Sequence, residues 1–204
     1  MKIKAVFFDA GETLIYRNPS LVTLTHRAFS AAGIKVKKNR LSAVINAAAV
    51  EMKPIVERGE MGDSEKWAVY IKKVFDKLGV RNSLLEADIR TRLKNGTSFK
   101  AFRGAAETVD YLNRRGIKTG IISNAPAELE NILKRVKLHS CFKYIIISEN
   151  AGAEKPHKKI FQKALDAAHV KAKETVYIGD NYIADISDFI VHFSAPSFRL
   201  PEPQ

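Results

Sequence analysis

Four short apolar runs punctuate the chain: residues 3–8 (IKAVFF), 118–123 (KTGIIS), 144–148 (YIIIS) and 175–179 (TVYIG). They are nearly continuous rather than alternating, the pattern of strands covered on both faces in a parallel sheet. Helical spacing fills the intervals. Residues 104–116 carry small or apolar side chains at helical spacing and end at Gly116. Residues 126–136 open with Pro126 in a first-turn position. Residues 157–170 place Ile160, Phe161, Ala164, Leu165 and Ala168 on one face. Strands alternating with helices predict an open α/β sheet with right-handed crossovers.

Residues 16–98 break that rhythm with helix after helix and no convincing strand. The first helix ends at Gly33 and the second runs over 38–57. A third opens on Asp63-Ser64 and stops at Gly79; a fourth opens on the capping box SLLE, Ser83 to Glu86, and stops near Gly96. The pattern predicts an α/β fold: a Rossmann-like parallel sheet core of residues 1–15 and 99–204, with an all-helical domain of residues 16–98 inserted after the first strand. In such sheets ligands sit outside the carboxyl ends of the strands, and the insert leaves from the carboxyl end of the first.

Composition narrows this reading. The chain has 204 residues, 46% apolar and 27% charged, enough for a sizeable hydrophobic core. No apolar run approaches the roughly 18 residues of a membrane span, and no signal-peptide pattern precedes the first strand. A lone cysteine, Cys141, excludes an internal disulfide and suits a reducing cytosol; it reads as a small core residue. A cytoplasmic protein, monomer or homodimer, is expected. Net charge is +12, and residues 16–98 carry 16 Lys/Arg against 8 Asp/Glu. That excess reads as a solvated helical surface. A helix-turn-helix, zinc-finger or aromatic RNA-binding motif is lacking, so charge alone does not argue for nucleic acid.

Each predicted strand delivers a polar residue to the same edge. The first gives Asp9, and the second gives Ser123 and Asn124. The loop after the third gives Lys155, and the fourth gives Asp180, with Asp185 one helical turn on. Singly, each is an ordinary cap, turn or surface residue. Together they suggest phosphoryl transfer to a carboxylate. Asp9 is placed to attack phosphorus. Asp9 and Asp180 need a cation between them, and such oxygen ligands suit Mg²⁺. Lys155 would neutralise the transferring group, the Ser123 hydroxyl would donate to its oxygens with Asn124 as a further phosphate-binding residue, and backbone N–H groups of residues 10–12 would complete the cradle.

The segments FFDAGETL, IISNA, EKPHKKIF and VYIGDNYIAD resemble, in order, the four motifs of the haloacid dehalogenase (HAD) superfamily, and the helical insert resembles the cap of its subfamily I. The likeness covers about residues 3–185. It implies a hydrolase with Asp9 as nucleophile and metal ligand, Ser123 as phosphate donor, Lys155 as the charge-neutralising lysine and Asp180 as a metal-binding acid. Asp185 would hold a metal-bound water, and the Gly11 carbonyl would serve as a further metal ligand. A Mg²⁺-dependent phosphatase of a small phosphorylated metabolite is the expected activity.

One departure matters. Family phosphatases usually read Asp-x-Asp in the first motif, the second Asp protonating the leaving alcohol. Here Gly11 holds that place, and general acid–base help is typically worth ~10²–10⁴ in rate. Glu12 is the nearest replacement. The alternatives are a phosphonatase or 2-haloacid dehalogenase type of hydrolase, or a catalytically weak member that binds a phosphorylated ligand or a protein. The acidic GDN loop containing Asp180 argues against dehalogenation. His157 reads as a helix-start residue, and Trp67 with Tyr70 as helical core. The last 20 residues depart from the family pattern: FIVHF (189–193) offers a short strand, and the Pro-rich end predicts an extended or disordered tail.

Overall fold

The structure, a computed structural model, describes residues 2–58, 61, 63–181, 184–185 and 197–199. The chain divides into two compact units, Met1–Tyr16 with Lys100–Gln204, and Arg17–Phe99.

Among the described residues the first unit is built on five parallel strands: Ala5–Phe8 (β1), Lys118–Ser123 (β4), Tyr144–Ile147 (β5), Thr175–Gly179 (β6) and Ser197–Arg199 (β7). Their order is β5-β4-β1-β6-β7. Phe7 is in register with Gly120 on one neighbour and Tyr177 on the other. Gly120 makes room for this: a Cβ there would lie 2.5 Å from the Phe7 ring. On one face Ala5, Phe7, Ile122 and Tyr177 pack against Ile160, Phe161, Ala164 and Leu165 of Lys158–Ala168 (α8). The Phe161 and Tyr177 rings meet edge-on at 5.5 Å. Two further helices, Ala105–Arg114 (α5) and Leu129–Arg135 (α6), and a short one, Ser148–Ala151 (α7), complete the connections.

Among the described residues the second unit holds four helices, Leu21–Ala31 (α1), Lys38–Arg58 (α2), Asp63–Leu78 (α3) and Ser83–Gly96 (α4). Leu24, Phe29, Ile71, Phe75, Ile89 and Leu93 form its core. Arg17 lies between the Trp67 and Phe99 rings, 5.4 and 5.3 Å from their centroids, and donates to Thr97 Oγ1 at 3.2 Å. Trp67 is more than a third exposed, whereas Tyr70 is half-buried and donates to the Ile45 carbonyl. Strands Ile15–Arg17 (β2) and Phe99–Ala101 (β3) pair as a ribbon where the chain passes between the units.

The α/β expectation holds, with local corrections. The fourth helix is capped by Asn82, whose side chain accepts from Leu85 N, not by Ser83. The helix expected from Pro126 begins at Leu129. Ser148, expected to close the third strand, opens α7 instead, and its hydroxyl bonds Ala125 N at 3.0 Å and Ala125 O at 3.2 Å. The expected tail contributes β7, paired in parallel with β6, which covers that edge. FIVHF lies outside the described residues. Cys141 is half-buried in a single-turn 3₁₀ segment rather than in the core.

Candidate active site

Strand order reverses between β1 and β6, and the two acids that follow these strands, Asp9 and Asp180, stand at that crevice. The Asp9 amide donates to the Ile178 carbonyl at 2.8 Å, fixing the end of β1 against β6. Lys155 brings the loop between α7 and α8 to the same point. All three protons of its ammonium have partners: Asp9 Oδ1 at 2.6 Å, Asp185 Oδ1 at 2.6 Å and the Tyr177 hydroxyl at 3.0 Å. The group is almost wholly sealed, the Lys155 side chain being 3% exposed and Asp185 1%.

Each side chain has its own support. Asp185 Oδ2 accepts from Asn181 N at 3.0 Å. Gly179 is required beside it, because a Cβ there would fall 2.6 Å from the Asp185 Cβ and onto its carboxylate. Asn124 Nδ2 donates to the Lys155 carbonyl and Asn124 Oδ1 accepts from the Lys155 amide, both at 2.7 Å. The Asn124 amide therefore holds the lysine loop with both of its polar atoms. Ser123 is buried at the end of β4. His157 caps α8, its Nδ1 accepting from Lys159 N at 3.2 Å.

The first motif turns directly after Asp9. Leu14 N and Ile15 N both donate to the Ala10 carbonyl at 2.9 Å. Gly11 is exposed, with open space where a Cβ would stand. Glu12 is exposed too and adopts the left-handed region, φ 53°. The Thr13 hydroxyl is buried with no hydrogen-bond partner among the described residues.

Charge and burial compete here. Burial is the largest influence on Asp9 and pushes its carboxyl up to about 6; Lys155 pulls it down and Asp185 pushes it further up. Burial alone would lower the Lys155 ammonium, but the Asp9 and Asp185 charges outweigh it and hold the lysine above its ordinary value. Asp180 is raised by burial and then by Asp185. Burial keeps the Tyr177 phenol well above its usual range, so it stays a neutral hydroxyl.

The donor set fits a hard divalent cation. Asp9, Asp180 and Asp185 each offer a carboxylate oxygen, and these oxygens lie within 4.8 Å of one another. When ionised, the three carboxylates outnumber the one ammonium by two charges, the charge of a single Mg²⁺.

Tyr177 and Thr13 were absent from the sequence-based site. The signal for Tyr177 was its polar tip inside the apolar run TVYIG, since a buried tyrosine hydroxyl usually finds a partner.

A parallel sheet with an acid after its central strand, a lysine on a neighbouring loop and two more acids beyond the switch point defines an α/β protein with a carboxylate–lysine site. The family model for haloacid dehalogenase-like hydrolases matches residues 3–187, and the chain belongs to that family. It is 27% identical over 194 residues to haloacid dehalogenase-like hydrolase domain-containing protein 3 of Bos taurus, covering 91% of this chain and 77% of that protein. It is 40% identical over 92 residues to the glyceraldehyde 3-phosphate phosphatase of Pyrococcus furiosus, covering 44% of this chain and 38% of the phosphatase. Among solved structures it is similar to the putative HAD-hydrolase YfnB of Bacillus subtilis bound to magnesium. That match has a TM-score of 0.76 at 22% identity, covers 97% of this chain and 86% of YfnB, and shows the shared fold.

Proposed function

We propose that this hydrolase is a Mg²⁺-dependent phosphatase of a small phosphorylated metabolite, acting through an aspartyl-phosphate on Asp9. The observation that carries this reading is the convergence of buried Asp9, Lys155 and Asp185 with half-buried Asp180 at the switch point. The resemblance to a phosphatase over 92 residues agrees with it. We read residues 1–15 and 99–204 as the catalytic core and residues 16–98 as the cap that selects substrate. A reducing cytosol suits the single free thiol.

In this reading an Asp9 oxygen bonds to phosphorus as the bond to the leaving alcohol oxygen breaks. The alcohol oxygen keeps the electron pair and takes a proton from solvent water, since Gly11 offers none. Water then attacks phosphorus, the Asp9–phosphorus linkage breaks, and the carboxylate is regenerated with release of inorganic phosphate. Lys155 neutralises charge on the transferring group, and Ser123 donates to its oxygens. Asn124 holds the Lys155 loop beside the phosphate. Asp9, Asp180, Asp185 and the Gly11 carbonyl would hold Mg²⁺, which supplies positive charge to the phosphoryl oxygens.

Gly11 has no proton for the leaving alcohol, so activated esters should turn over best. The test is phosphate release from a panel of phosphorylated metabolites and an activated aryl phosphate, with Mg²⁺, with chelator, and in Asp9→Asn. Turnover abolished by both controls supports the phosphatase. Absence of turnover on every ester overturns it, and binding of a phosphorylated ligand without turnover would point to the weakly active alternative that Gly11 favours.

A further inference from the structure

Lys155 is held by three anchors of two different kinds. Two are carboxylates, Asp9 and Asp185, each 2.6 Å from Nζ. Both change charge state during the proposed reaction: Asp9 loses its charge when it carries the phosphoryl group, and Asp185 shares its charge with the bound cation. The third anchor, the Tyr177 hydroxyl, is neutral and unreactive at 3.0 Å. Its oxygen accepts from the ammonium, and its single proton goes to the Ile122 carbonyl at 3.0 Å or to Asp185 Oδ1 at 3.2 Å. Ile122 belongs to β4 and Tyr177 to β6, so this anchor is tied to strands on either side of β1. The Tyr177 ring is fully buried and packed edge-on against Phe161, which leaves the hydroxyl little freedom to move.

We propose that Tyr177 is a positioning residue for the hydrolytic reaction: its hydroxyl is the constant anchor that keeps the Lys155 ammonium aimed while the charges on Asp9 and Asp185 change. The ammonium must release a carboxylate to reach a phosphoryl oxygen. An anchor that does not take part in that exchange keeps Nζ from swinging away. Substrate affinity should not depend on it, because Tyr177 is fully buried and contacts the lysine. This inference rests on the phosphoryl-transfer reading of Lys155.

Tyr177→Phe keeps the ring and its packing and removes only the hydroxyl. With Mg²⁺ and an activated aryl phosphate, kcat is expected to fall by about ten-fold or more, the effect of losing one hydrogen bond to a charged group. KM should change by less than about three-fold. A merely structural tyrosine would lower the melting temperature and leave kcat unchanged in the surviving folded protein. If Tyr177→Phe does not fold, Tyr177→Met, a smaller and flexible apolar side chain that also lacks the hydroxyl, is measured in its place. An unchanged kcat, or a change confined to KM, overturns the proposal.

Crystal structures of the wild type and the variant give a readout independent of turnover. A Lys155 Nζ displaced by about 1 Å or more is expected, a shift large enough to matter for chemistry. Superimposable ammonium positions overturn the anchoring role even if kcat falls. If the wild type hydrolyses no phosphate ester, the phosphatase reading fails by itself, and the two crystal structures still decide whether Tyr177 anchors the lysine.

Discussion

Lys155→Met tests the electrostatics of the site without any substrate. Methionine matches the lysine stem in length but carries no charge. In the wild type the ammonium bonds Asp9 and Asp185 at 2.6 Å each inside a site where its own side chain is 3% exposed. Removing it leaves two buried carboxylates, with Asp180 close by, and no cation among them in metal-free protein. Breaking a buried ion pair from one side typically costs about 3–5 kcal/mol. For a chain of 204 residues, about 2–4 °C of melting temperature per kcal/mol gives a fall of roughly 6–20 °C.

The pH dependence follows from Asp9, whose carboxyl is already raised to about 6 by burial. A group raised in the folded state contributes stability that is complete below its unfolded value and lost as pH rises through the folded one. Loss of Lys155 removes the influence that pulls Asp9 down. The variant should therefore be closest to wild type near about pH 5 and furthest from it at about pH 7.5. Mg²⁺ replaces the lost positive charge, so at one Mg²⁺ concentration it should stabilise the variant more than the wild type and narrow the deficit; a ligand at 100 times its Kd stabilises by about 2.7 kcal/mol. Thermal and urea unfolding in chelator and in Mg²⁺, across this pH range, read all three effects. A variant as stable as the wild type in chelator at neutral pH, or a deficit that does not shrink in acid, would refute the charge argument.

Two further substitutions probe the loops around the cluster. Gly11→Asp has open space for its Cβ and no left-handed φ to strain. It should fold normally and raise kcat on alkyl phosphates by about ten-fold or more, with little gain on an activated aryl phosphate, because general acid help is worth ~10²–10⁴ when fully placed. Gly179→Ala should do the opposite: its Cβ would meet the Asp185 carboxylate, displacing an acid that holds Lys155. Lower kcat and weaker Mg²⁺ stabilisation in thermal shifts are expected, and an unchanged Mg²⁺ response would show that Asp185 is not a ligand.

The α/β class was legible because β1, β4, β5 and β6 each carry a nearly continuous apolar run, and such runs between amphipathic helices leave few other arrangements. The corrections fall where local chemistry decides. Asn82 outcompetes Ser83 as a cap because it stands one residue earlier, where its side chain reaches Leu85 N. Ser148 leaves the strand because its hydroxyl is needed at Ala125. The ribbon β2–β3 and strand β7 have only three residues each, too short for periodicity to show. At the site, charged residues announced themselves by falling at strand ends. Tyr177 did not, since an aromatic in an apolar run reads as core, and only the fold puts its hydroxyl 3.0 Å from Lys155.

The central claim is that Asp9 carries the phosphoryl group. Borohydride reduces an acyl phosphate to an alcohol, which would convert Asp9 to homoserine. The measurement is mass spectrometry of the Asp9 peptide after rapid quenching of enzyme turning over an activated phosphate ester, followed by borohydride. Homoserine at position 9, appearing only with substrate and absent when Mg²⁺ is chelated, is the predicted result. Substrate consumed with Asp9 never modified would contradict the account.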